Sequence, residues 1–308
     1  KYYEQALKID SKLCKARVGL GLRDLGSGRL NQAKYAFEQS IKDDPQCTSG
    51  YTNLAIVQRS QGESDEALKN LRRALAIESD YLSAFNQMAL LHYDRGRKGK
   101  RAELDLAEVV CRQAQMLDAD YAPIYNTWGL IKVYKGDVIS ALRFFQRALT
   151  LDPDLFEAQM NFGEVTISFR GYEDGRKAFA RAVELEPNNY DAVIGLGTAL
   201  RGLEQFSEAE AQYQRAKQLD AKRPEEYFNL GVLYQDYMSG SVSDLKKAKA
   251  YFTEFLKRAG KQTEFRSSVQ DVNNRCAQKS SHKRGAPKCR PGRMQNIDIS
   301  VEAMQVTG

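Results

Sequence analysis

Five cysteines and two histidines are the side chains here with the widest chemical range. Cys276 and Cys289 bracket residues 277–288, AQKSSHKRGAPK, a polar and basic stretch without apolar periodicity. A disulfide between them would close a 14-residue loop and contribute about 3 kcal/mol by restricting the unfolded chain. It would also imply an oxidising compartment. Zinc needs four ligands, whereas Cys276, His282 and Cys289 supply three at unusual spacing. Two free thiols are the remaining alternative. Because nothing else in that stretch would order it, the Cys276–Cys289 disulfide is the arrangement expected. Cys111 falls on a bulky core position and is expected to be a buried, inert thiol. Cys14 and Cys47 sit near helix starts in successive repeats and are expected to be part-buried and unpaired.

Catalysis finds little support. His92 and His282 have no Cys or Ser partner at a catalytic spacing, and no catalytic residue is expected. Gly19, Gly21 and Gly26 lack the Lys-Ser/Thr of a phosphate loop. No cofactor and no metal site is expected.

The elements that would carry these residues recur every 34 positions. Gly21, Ala55, Ala89, Gly129, Gly163, Gly197 and Gly231 are separated by 34, 34, 40, 34, 34 and 34 residues. Each follows a large apolar residue, as Gly129 follows Trp128. Twelve residues on lies a second small residue in most copies: Ala33, Ala67, Ala141, Gly175 and Ala209. A bulky residue comes four later, at Phe37, Leu71, Phe145, Phe179 and Tyr213, and then another small one, such as Ala148. Steps of three and four place these groups on one helical face. Pro45, Pro153 and Pro187 stop helices on schedule. Gly28, Gly62 and Gly136 suit left-handed helix ends. Each unit therefore reads helix, turn, helix, stop.

This pattern resembles the tetratricopeptide repeat (TPR), through Trp128-Gly129, Ala141 to Phe145, Ala148 and Leu151-Asp152-Pro153. The resemblance implies an all-α solenoid, a right-handed superhelix of helix-turn-helix repeats with C-terminal capping helices. The array would span 1–260, with a partial repeat in 1–11 and seven repeats over about 14–260. Residues 261–308 would hold a capping helix (Phe265, Val269, Val272, Cys276), the basic Cys-bounded loop and a short final helix (Met294, Ile297, Val301, Met304), its start capped by Asp298 or Ser300. Two insertions break the beat, about six residues within 94–105 and about five within 238–244. Both are expected to be longer inter-helix turns.

In such arrays the first helix of each repeat lines the concave face. The positions that would point into the groove hold Thr52 and Asn53, Asn86 and Gln87, Asn126 and Thr127, Met160 and Asn161, and Phe228 and Asn229. One turn on lie Arg59, Tyr93, Glu164, Arg201 and Gln235. Amides both donate and accept, so this row suits the backbone of an extended protein segment. The alternative is that these Asn residues bond locally. The partner expected is an unstructured segment or helix of another protein.

Charge is uneven. The net +6 arises from residues 257–293, where eleven Lys and Arg face only Glu264 and Asp271. That run suits an anionic surface or is a solvated capping segment. Nucleic acid is disfavoured, because no aromatic residue follows Phe265 to stack on bases. No stretch of 18 apolar residues crosses a membrane. The chain begins at Lys1, inside a repeat and without Met, so the lack of a visible signal peptide carries no information.

A narrower similarity lies in residues 291–305, PGRMQNIDISVEAMQ. Set after a repeat array and a Cys-bounded loop, the segment looks like the C-terminal region of TPR lipoproteins of myxobacterial gliding motility. That likeness implies a scaffold of a bacterial envelope complex in the periplasm, anchored to the outer membrane by a lipidated N-terminus. Cys14 lies inside a repeat and is not that lipidated residue. The alternatives are a cytoplasmic protein, a regulatory or targeting arm of a larger enzyme, and a basic-tail binder of nucleic acid or anionic lipid.

Overall fold

A computed structural model describes residues 2–10, 12–259 and 270 of the chain. The expected capping helices, the Cys276–Cys289 bridge, segment 291–305 and nearly all of the basic run lie outside the described residues. Those residues form fifteen α-helices and no strand. They are α1 (Tyr2–Ile9), α2 (Cys14–Gly26), α3 (Leu30–Asp43), α4 (Thr48–Ser60), α5 (Ser64–Ile77), α6 (Leu82–Arg97), α7 (Ala102–Leu117), α8 (Ala122–Tyr134), α9 (Val138–Leu151), α10 (Phe156–Ser168), α11 (Tyr172–Leu185), α12 (Tyr190–Gly202), α13 (Phe206–Leu219), α14 (Glu225–Val232) and α15 (Val242–Ala259). A π turn, Leu233–Tyr237, follows α14.

The helices divide into two compact units, one spanning Lys1–Asp152 and one from Pro153 onward. In the first, α2 packs on α3, α4 on α5, α6 on α7 and α8 on α9, and each first helix also touches the first helix of the next repeat. In the second, α10 packs on α11, α12 on α13 and α14 on α15, with α12 touching both α10 and α14. Within each unit the first helices therefore form one continuous layer.

The contact between the two helices of a repeat explains the sequence period. A Cβ added to Gly129 would lie 2.4 Å from the Phe145 ring, and one on Gly21 would lie 2.3 Å from Phe37. Gly163 meets Phe179, Gly197 meets Tyr213 and Gly231 meets Phe252 in the same way. Where the notch holds Ala55, the facing residue is the smaller Leu71, and both are buried in one cluster. Ala89 stands in register with Cys111, a smaller pair, and neither is exposed. In the Gly–aromatic and Ala55–Leu71 pairs the two sizes compensate, which close packing requires when neither backbone can retreat.

The turns follow the expected chemistry and extend it. Gly28, Gly62 and Gly136 have φ of 70°, 79° and 81°. The same left-handed position is filled by Arg170 (φ 65°) and Glu204 (φ 62°) in two later repeats. Tertiary packing thus holds the turn even where no glycine favours it.

Both insertions differ from expectation: neither is chiefly a longer turn. Regular first and second helices here have 13 and 14 residues, as α4 and α5 do. α6 and α7 have 16 each, so five of the six extra residues are helical. The reason is that the added turn finds its own core contact. Gly96 of α6 lets buried Leu104 of α7 approach to 2.5 Å of a would-be Cβ. In the last repeat α15 runs to 18 residues, four more than a regular second helix. Its start is capped by Ser241, whose Oγ accepts from the Asp244 N–H at 3.1 Å.

Replacing Gly129 with Ala is expected to cost about 1–3 kcal/mol of stability by overpacking against Phe145. Adding Phe145→Leu, which recreates the Ala55–Leu71 pairing, is expected to recover part of that loss. Urea unfolding of the three variants measures both effects. Strictly additive costs would show that the two positions do not share one space.

Candidate functional site on the first helices

The first-helix positions named as a groove fall into two sets, one in each unit. In the first unit Asn53 Nδ2 donates to Ser49 O at 2.8 Å, within its own helix. Asn86 Oδ1 accepts from Thr127 Oγ1 at 2.6 Å, tying α6 to α8. Asn126 is buried. Arg59 reaches Asp94 across repeats at 3.4 Å. Burial pulls the Arg59 guanidinium below its usual range and pushes the Asp94 carboxyl up, and each partner's charge opposes the other's shift. Tyr93 is buried edge-on against Tyr134, with ring centroids 6.2 Å apart, and Arg97 lies over its ring. Burial pushes its hydroxyl up to about 12.

In the second unit Arg201 is buried, and its Nη1 donates to Asn229 Oδ1 at 2.9 Å. Asn229 Nδ2 in turn donates to Glu225 O at 3.0 Å. Phe228 is only 6% exposed and packs on Phe252 and Phe255, so its ring belongs to the core. Asn161 and Glu164 are part-exposed on α10. Glu164 has no cation against it among the described residues. Burial, reinforced by the charge of Asp191, pushes its carboxyl up to about 7. Asp191 is itself held by Arg223 at 2.7 Å.

Local and cross-repeat bonds thus engage much of the amide row, while Asn53 Oδ1 and Asn86 Nδ2 are not used by the bonds described. The first helices of the first unit thus offer a few hydrogen-bonding groups, and α10 of the second a part-exposed carboxylate.

The register also held a residue that the sequence analysis passed over. Glu226 occupies the place of Ala16, Gly50, Ala84, Ile124, Ala158 and Ala192 in earlier repeats, apolar in every copy, and it is fully buried. Tyr190 Oη donates to it, and burial pushes its carboxyl up to about 6. A charged residue at an otherwise apolar core position was the available signal.

The cysteines require a correction. Cys14 and Cys47 are joined in a disulfide, with Cα atoms 5.9 Å apart. Cys14 opens α2 and Cys47 precedes α4, two helices in direct contact. Gly50 leaves room for the pair: a Cβ there would lie 2.9 Å from Cys47 Sγ. Helix axes are too far apart to bridge, but facing residues at their starts are not. Cys111 is buried and free, and burial pushes its thiol up. His92 is buried and bonds Glu103 through Nδ1. Among the described residues no cluster is placed to hold a metal, and no helix is long and apolar enough to cross a membrane.

A family model described as Tetratricopeptide repeat matches residues 18–81 and 167–224. Tetratricopeptide repeat protein 8 of Caenorhabditis elegans is 27% identical over 149 residues, covering 39% of this chain and 29% of that relative. The chain therefore spans less than a third of that relative's length. The type IV pilus assembly protein PilF of Pseudomonas aeruginosa is 23% identical over 177 residues, 56% of this chain and 69% of PilF. The solved PilF structure matches with a TM-score of 0.52 at 19% identity, covering 73% of this chain and 97% of that one. A thermophilic TPR protein from Thermus thermophilus matches with a TM-score of 0.56 at 24% identity, covering 61% of this chain and 99% of that one. At these identities the structural likeness concerns the fold.

Two outcomes are expected. Non-reducing peptide mapping should join Cys14 to Cys47, and replacing both with Ser should cost about 2–4 kcal/mol. The Glu164 carboxyl titrates higher in the folded chain than in the unfolded one. Its contribution to stability is therefore full below about 4.3 and lost as pH rises through about 7. Glu164→Gln should gain on the wild type across that window in urea unfolding. An equal offset at both ends would show that Glu164 does not titrate there.

Proposed function

The chain is a tetratricopeptide repeat protein, and from that premise we propose that it is a non-enzymatic interaction scaffold. Its first helices take up an extended or helical segment of a protein partner, and it works in an oxidising compartment of a bacterial envelope.

The observation that carries the docking role is Glu164 on α10. A part-exposed carboxylate with a raised proton affinity and no cation beside it gains when a Lys or Arg arrives. Asn161 stands one turn before it, where an amide can address a peptide backbone. The segment expected is therefore extended or helical and carries a basic side chain.

The Cys14–Cys47 bridge supports the compartment, because disulfides persist where the surroundings oxidise thiols. The likeness of residues 291–305 to gliding-motility lipoproteins supports an envelope complex. PilF, named for type IV pilus assembly, supports a role in assembly.

Selection of peptides from a random displayed library tests the docking role. Enriched peptides should carry Lys or Arg, and Glu164→Lys should weaken them by about tenfold or more. Arg72→Glu, an exposed change on second helix α5, should leave affinity unchanged. Peptides that bind both variants equally would overturn the reading.

A further inference from the structure

Second helix α7 differs from the second helix of every other complete repeat in its outward face. Leu106, Val109 and Met116 are 50%, 46% and 82% exposed, and Leu117 beside them is 50% exposed. Among the complete repeats of the described residues no other second helix exposes more than one large apolar side chain; the partial repeat's α1 does, with Tyr2, Tyr3 and Ile9. In the matching registers other repeats place Glu66, Asp174 or Glu208 where Leu106 stands, and Lys42 or Glu184 where Met116 stands.

The spacing is regular. Ala102, Leu106, Val109, Gln113 and Met116 follow in steps of four, three, four and three, all exposed. That is the narrow seam of a helix that packs along another helix, with one polar residue in it. It lies opposite the buried face formed by Leu104, Ala107, Cys111 and Ala114. Inward packing of α7 is thus already satisfied, and the outer seam is additional to it.

The charges at the two ends of α7 identify the helix that would cover it. Lys98, Lys100 and Arg101 precede α7 and are exposed, and Lys100 and Arg101 carry no ion pair among the described residues. Asp118 and Asp120 follow its C-terminus, Asp120 being held at 3.0 Å by the exposed Arg147. One end is basic and the other acidic, so an antiparallel copy is complementary. With a two-fold axis at Val109, residues equally far from it oppose each other: Ala102 meets Met116 and Lys100 meets Asp118, while Leu106 faces the Arg112–Gln113 stretch. A lipid surface would match the basic end but not the acidic one.

We propose that the outer face of α7 is a self-association surface, on which a second copy of this chain packs its own α7 in antiparallel fashion. The surface is separate from the first-helix face and does not depend on the function proposed for it. A 16-residue helix is about 24 Å long. A seam of that length buries less than the ~800 Å² per partner of a standard stable interface, so the dimer is weak and concentration-dependent.

Sedimentation velocity of the full chain over a concentration series provides the test. The weight-average sedimentation coefficient should rise with concentration in low salt and fall back in high salt. Leu106→Glu with Val109→Glu should abolish the rise while leaving the circular dichroism unchanged, since both sites are exposed. Lys100→Glu alone should weaken association, and adding Asp118→Lys should restore it. A monomer at every concentration overturns the proposal, as does association indifferent to the Leu106 and Val109 changes. Failure of the charge swap to rescue overturns the antiparallel register. Binding to phosphatidylglycerol vesicles that these changes abolish, in a chain that stays monomeric, would assign the face to lipid instead.

Discussion

The structure depends on one steric complementarity that recurs in six of the seven full repeats: a small residue on the first helix faces a large one on the second. Glycine is matched with an aromatic ring, and alanine with Leu71 or Cys111. Glycine with an aromatic ring and Ala55 with Leu71 fill similar summed volumes, so those helix pairs can approach similarly although their side chains differ. Each repeat has little core of its own beyond this contact and must bury the rest against its neighbours. Stability is therefore distributed along the stack.

The same constraint explains how insertions are absorbed. In sequence the extra residues do fall between the notch and its facing residue, as between Gly231 and Phe252, yet the contact is kept because they are taken up where the two helices of the repeat join. There α6 and α7 lengthen together, because Gly96 and Leu104 form a further small–large contact. Lengthening also carries Lys98, Lys100 and Arg101 beyond the level of a regular turn. A local change in helix length thus alters which charges the surface displays.

Polar residues on the first helices serve two purposes. Asn86 with Thr127 and Arg201 with Asn229 connect successive repeats, and buried groups must find such partners to be tolerated. Glu164 has no such partner among the described residues, and burial raises its proton affinity. In each unit, structural ties thus occupy part of the amide row.

The repeat, its helices, its turns and the buried state of Cys111 were legible in the sequence, because spacings of three, four and 34 are local or strictly periodic. A side chain's own helix sets which way it faces, and that information travels with the residues nearby. The Cys14–Cys47 bridge, the partners of the amides, the burial of Phe228 and the helical form of both insertions were decided only in the tertiary structure. Each depends on the offset at which one helix lies against another, often 28 to 41 residues away. That offset is fixed by the packing of many side chains together, so no single spacing in the sequence records it.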